Sequence, residues 1–259
     1  MTTFGIENPQ SFVVSTECRK AAEAHGFRRQ LDEHSGWASF QSTTAHGTIW
    51  LASAGNSGPW YLALDHPGVI EEISLPRANM VGPGLSRFAF NELRSLYAIM
   101  PRVYALATSL PDVPLQEFKT KTAGMPRSTE AERLVIQRVG QDIFRDKLLE
   151  YWDGKCPLTG ITEHALLRAS HILPWKSCNC DAQRLDVHNG LLLSALWDAA
   201  FDRGLVTFDD DGHPQFCSQI SETTLKHLKW QSPIYLTDQH RHYLMHHRSL
   251  VFAKSDSAG

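Results

Sequence analysis

Between Arg168 and Gly204 the chain sets a small group of reactive side chains into an otherwise apolar frame. The segment begins Arg168-Ala-Ser170-His171-Ile-Leu-Pro-Trp175 and, after a polar stretch, continues Val-His188-Asn189-Gly-Leu-Leu-Leu. It ends Leu-Trp-Asp198-Ala-Ala-Phe-Asp202-Arg203-Gly204. Asp198 and Asp202 stand at i and i+4, so on a helix they share one face. Two carboxylates on one face make an oxygen-rich half-shell, which suits a hard divalent ion such as Mg²⁺ or Mn²⁺. His171 carries an imidazole that can take a proton from water near neutral pH. The Asn189 amide can fix a neighbouring backbone or side-chain group, and Arg203 can clamp a phosphate oxygen. Phosphodiester hydrolysis needs a deprotonated water, neutralised charge on the phosphate and a stabilised leaving oxygen. This set holds a candidate for each.

Over about Glu130 to Asp211, roughly a third of the chain, the sequence resembles the HNH endonucleases, which have a ββα-metal fold. The likeness is close over Ser170-His171-Ile172 with Pro174-Trp175, over His188-Asn189-Gly190-Leu-Leu-Leu, and over Phe201-Asp202-Arg203-Gly204-Leu205. Arg138-Val-Gly-Gln141-Asp-Ile-Phe144-Arg145 and Cys156-Pro-Leu-Thr-Gly160 resemble the family's lead-in. The resemblance implies that His171 is the general base on the first strand and that Asn189 pins the loop and orients it. It also implies that Asp198, nine residues after the Asn, takes the place of the family's final histidine ligand, with Asp202 as the ligand one turn later. The signature here is His-Asn-Asp, which shifts the implied metal towards Mg²⁺ or Mn²⁺ and away from Zn²⁺ or Ni²⁺. The metal-side position before the first His, often an acidic or His ligand, is Ser170. Either that shell is thinner here, or His171 touches the metal and another group, His188 foremost, acts as base. Arg203, His188 and Arg168 are the candidate phosphate or DNA contacts.

Two parts must position these residues. Residues 1–118 read as a small α+β domain: a helix from Ser15 to about Phe27, then strands Trp37–Thr43, Thr48–Ser53 and Trp60–Leu64 in an antiparallel meander. A helix from about Phe90 to Leu110 would pack on it. Trp37, Trp50 and Trp60 read as core, with a base-stacking surface as the sharper alternative. Residues 119–129 are polar and carry Gly and Pro, as a linker does. Residues 130–255 read as the nuclease domain with flanking helices, its core at 155–212. A helix starts at a capping segment, Ser128-Thr-Glu-Ala, and runs to about Trp152, with Gly154 as its stop. Strands near 166–172 and 190–193, a helix over 196–201 and a strand over 205–208 follow, with Asp209–Gly212 as a hairpin turn. Helices over 221–228 and 237–250 close the domain. The last carries His240, Arg241, His242, His246, His247 and Arg248, read as a solvated face or a contact to a DNA backbone.

The 259 residues are 42% hydrophobic and 20% charged, ordinary for a soluble α+β protein. No apolar run approaches the roughly 18 residues that span a bilayer. The first residues lack the pattern of a secretory signal, so a cytoplasmic location is expected. The net charge of -3 counts mildly against nucleic acid as partner, though local basic patches do the binding. Five scattered cysteines suggest reduced thiols, with a zinc site at Cys156, Cys178 and Cys180 as the rival reading.

The expected function is cleavage of DNA with a divalent metal, in restriction or anti-phage defence as the resemblance implies. A homodimer would suit paired cutting of two strands. Two rivals stand beside it. The frame could be a non-cleaving DNA-binding or assembly module, or the N-terminal domain could gate the nuclease through a ligand or partner.

Overall fold

In the computed structural model, which describes residues 5–252, the chain divides into two units between Val113 and Pro114. The fold is α+β.

The first unit is an antiparallel meander in strand order β1-β2-β3-β4-β5, with β1 at Arg29–Gln30, β2 at Ala38–Gln41, β3 at Thr48–Ser53, β4 at Trp60–Leu64 and β5 at Ser86–Phe90. Helices α1 (Phe12–Ala24) and α3 (Leu93–Ser109) pack on it, and α2 (Pro67–Glu72) lies between β4 and β5 in the chain. Side chains alternate across a sheet, and here the two faces differ sharply. One cross-strand row is Phe40, Ile49, Leu64 and Ser86, and a second is Ala38, Leu51, Leu62 and Phe88. Ile49 and Leu64 meet Val103 and Ala107 of α3, so these rows form the helix-covered face. The opposite face carries the row Ser39, Trp50, Ala63 and Arg87. It is lined by a separate small cluster of Trp37, Ala52, Tyr61 and Ala63. Trp60 and Trp37 are buried, whereas Trp50 is only partly so. The sequence reading missed α2, which is too short to show a period, and β5. Phe88 and Phe90 alternate with Arg87 and Ala89, a strand pattern that the following helix masked.

Helix α4 (Asp112–Thr122) begins just before that division and ends within the segment read as a linker. Phe118 and Thr122, one turn apart, are both buried, and the Thr122 hydroxyl donates to the Phe118 carbonyl. Residues 119–122 are therefore helix, and only 123–129 remain as irregular connection. The polar composition of that stretch reflects the exposed side of α4. Helix α5 (Glu130–Tyr151) starts at a reciprocal cap: Thr129 accepts from the Glu132 N–H while the Glu132 carboxylate accepts from the Thr129 N–H. Then come β6 (Leu167–His171), α6 (Asp181–Arg184), β7 (Gly190–Ser194) and α7 (Ala195–Asp202). Strands β6 and β7 pair antiparallel, with His171 opposite Gly190. Every residue of β7 is buried, because α5 and α7 both pack against the ribbon. A hairpin of β8 (Val206–Phe208) and β9 (Pro214–Phe216) follows, then α8 (Glu222–His227) and α9 (Asp238–His247).

The histidine-rich last helix corrects in part its reading as a solvated or DNA-facing surface: His242 is exposed, but His240 and His247 are buried. His240, Tyr243, Leu244 and His247 occupy i, i+3, i+4 and i+7 and form the buried stripe of α9. Arg248 donates to the Phe208 carbonyl and pairs with Asp210, and Arg241 donates to the Asp210 carbonyl. These cations hold the β8–β9 hairpin.

Candidate active site

Asn189 ends a 3-10 turn just before β7 and is fully buried. Its Oδ1 accepts from the Leu173 N–H at 2.7 Å, and its Nδ2 donates to the Gln183 carbonyl at 3.0 Å. The Nδ2 also reaches the Leu173 carbonyl and Cys178 Sγ. One side chain thus ties the exit of β6 to the far end of the intervening loop. The next carbonyl along that loop, Arg184, lies 2.9 Å from His171 Nε2. A carbonyl only accepts, so Nε2 carries the proton and Nδ1 keeps the lone pair. No hydrogen bond to Nδ1 is seen among the described residues. The ring stacks on Phe144 of α5 at 3.7 Å between centroids, and Trp175 stands edge-on at 5.4 Å. Burial pushes the His171 pKa down to about 4, only partly offset by the bond to the carbonyl. The imidazole is therefore neutral at pH 7.

Ser170, the neighbour of His171 on β6, is buried and donates to Asp198 Oδ1 at 2.5 Å. Asp198 lies in the first turn of α7 and Asp202 at its end. Partial burial, and then the Asp198 carboxylate, push the Asp202 pKa up, while Arg203 opposes the rise. The two acids thus feel one another across one helical turn. Their oxygens suit a hard cation, and the Ser170 hydroxyl lies against one of them. Among the described residues no three His, Cys, Asp or Glu side chains gather into a closed metal-holding group. Any ion held here would have to complete its shell with water or phosphate oxygens. The cysteines are free, with Cys156 and Cys178 buried and Cys180 exposed.

The remaining sequence candidates separate. Arg203 is exposed and caps the end of α7. Arg168 is exposed, but its Nη1 donates back to the Ala165 and Leu167 carbonyls. His188 is 5% exposed, and Asp186 Oδ1 accepts from both its N–H and its ring. Tyr243 holds the other Asp186 oxygen, and the His188 ring meets Tyr151 and His240. This burial gives no geometric support for His188 as a phosphate contact.

Phe144, Trp175 and Arg184 complete the setting of His171, and the sequence reading gave them no role. Phe144 was marked only by an apolar helical position and by its place in the stretch that resembles the family's lead-in, and Trp175 only by its place in the motif after His171. Arg184 contributes its carbonyl, a group that every residue has, so no sequence signal could reveal it. Its guanidinium fastens the loop through the Trp175 and Cys178 carbonyls and Asp181.

Residues 156–209 match the model of a family described as HNH endonuclease. That span contains every site residue named from the sequence, from Arg168 to Arg203. It leaves out α5, which supplies Phe144, and all of the first unit. No curated protein matches the chain. The family match supports a nuclease or nucleic-acid-related function for the C-terminal half, and DNA is the substrate that such a family suggests. Among the described residues no helix is long and apolar enough to cross a membrane.

Proposed function

We propose that the C-terminal unit is a divalent-metal-dependent DNA endonuclease whose general base is His171. The observation that carries this reading is the tautomer imposed by the Arg184 carbonyl, with the Asp198–Asp202 pair on the helix that follows. His171 Nδ1 accepts a proton as water attacks the scissile phosphorus; the new P–O bond forms as the P–O bond to the leaving oxygen breaks. Asn189 keeps the loop, and with it the base, in position. Asp198 and Asp202 would hold the metal, with Ser170 steering Asp198. When bound, Mg²⁺ or Mn²⁺ would supply charge neutralisation at the phosphate and at the leaving oxygen. Arg203, exposed beside Asp202, is the contact for a non-bridging phosphate oxygen. Restriction or anti-phage defence is the setting that the family resemblance favours.

The test is cleavage of supercoiled plasmid and of modified phage DNA in Mg²⁺, Mn²⁺ or EDTA, with His171→Ala and Asp198→Ala beside the wild type. Metal-dependent nicking that both variants lose is the expected result. A second reading, a non-cleaving DNA-binding module, draws on the serine at position 170 and the small set of metal-binding side chains. Retained DNA binding with no cutting in any metal would favour it.

A further inference from the structure

The face of the first sheet opposite its helices is hollowed. It carries Ser39, Ala52 and Ala63 where the helix-covered face carries Phe40, Leu51 and Leu62. A recess of about 700 Å³ opens beside Trp37 and Trp50. Trp37, Trp50, Met80, Val81, Gly82 and His34 are among its lining residues. That volume lies in the range of small-molecule sites.

The walls define the ligand. The Gly82 backbone lies against the Trp37 indole so closely that an added Cβ would fall 2.8 Å from its ring edge. Trp50 is partly exposed and packs at the margin of the Trp37, Ala52, Tyr61 and Ala63 cluster. Among the described lining residues only His34 can titrate, so an ionic ligand would find no counter-charge. Val81, at the rim, is 97% exposed. Exposed apolar side chains of this kind serve as wedges between bases in proteins that unstack a duplex.

We propose that this recess binds an uncharged heteroaromatic ring of the nucleobase class, stacked on the partly exposed Trp50. Aromatic walls recognise bases by stacking, whether the base is turned out of a duplex or arrives as a free nucleoside. That the ring is a nucleobase rests on the nuclease reading of the second unit.

The test uses the full-length chain in EDTA, so that binding is read without cleavage. The probes are 2-aminopurine at a mismatch in a short duplex, the same base correctly paired, and free 2-aminopurine deoxyriboside. Binding is followed by probe fluorescence and anisotropy. The mismatched duplex should bind at least tenfold tighter than the paired one. Trp50→Leu and Met80→Arg should weaken binding at least tenfold with thermal unfolding unchanged, which avoids disturbing the buried Trp37. Val81→Ser should weaken the duplex arm alone. Binding of the free nucleoside only, lost in the same two variants, supports the recess and assigns it a diffusible ligand. No binding of any probe by the folded chain, or binding that both variants leave intact, overturns the proposal. Plasmid cleavage separates the two readings: a chain that cuts but binds no probe loses only this one. A chain that binds but never cuts loses only the nuclease.

Discussion

Asn189 and His171 are coupled through two consecutive carbonyls: Asn189 donates to that of Gln183, and that of Arg184 faces His171 Nε2. The amide therefore acts on the imidazole at one remove, by fixing the loop that selects its tautomer. Asn189→Ala should strand the buried Leu173 N–H, a penalty of about 1–3 kcal/mol, and leave the part-buried Gln183 carbonyl without this donor. Chemical denaturation should show a loss of about 2–5 kcal/mol. Cleavage measured below the new unfolding midpoint should still fall well beyond the change in folded fraction. Wild-type turnover in the folded variant would break the coupling argument.

His171→Ala should lower the cleavage rate by about 10²–10⁴, the range that a positioned base supplies. Mn²⁺ binding, followed by titration calorimetry, should stay within a few-fold of wild type. A large loss of metal affinity would instead make His171 a ligand.

Asp198→Ala should remove metal binding and cutting together. Ser170→Asp should place a third carboxylate beside Asp198. In EDTA its melting temperature should drop through like-charge repulsion, and Mn²⁺ should raise it by more than in the wild type. An equal Mn²⁺ shift in both proteins would mean that the ion does not sit at these residues.

Gly190 faces α5 so closely that an added Cβ would meet Phe144 at 2.6 Å and Leu148 at 2.7 Å. Gly190→Ala should cost about 1–3 kcal/mol by overpacking. Gly190 pairs with His171 and Phe144 stacks on it, so turnover should fall more than DNA affinity. Activity equal to wild type at full folding would show that this contact is slack.

His247 gives the second unit an acid-sensitive element. Its Nε2 faces the Phe201 carbonyl, so Nδ1 accepts from the Thr207 hydroxyl, and the ring stacks on Phe201 at 3.8 Å. Burial, with Arg248 adding to it, pushes its pKa down to about 4 against the opposing effect of the Phe201 bond. A histidine with a depressed folded pKa binds fewer protons than its unfolded form, so its contribution is complete above about pH 6.5. That contribution is lost as pH falls towards about 4. Urea midpoints of the wild type should therefore drop between pH 7 and 4.5 by more than those of His247→Gln. Parallel pH profiles would remove His247 from the account.

Some features were written into short stretches of chain. The capping segment at Ser128-Thr129 announces the start of α5, three strands of the meander show in their aromatic and β-favouring residues, and Asp198 and Asp202 share a face by helical spacing alone. Such signals are local, since a cap, a turn or a period needs only neighbours in sequence. Tertiary structure decided the rest. Asn189 and Leu173 meet across 16 residues, and a backbone carbonyl sets the His171 tautomer. Packing buried His240 and His247 on α9, a helix whose composition reads as polar. It also gathered Trp37, Trp50 and Met80 around one recess of the first unit. Burial and partner choice depend on what the folded chain brings from far away, and that information is spread over residues that carry no motif.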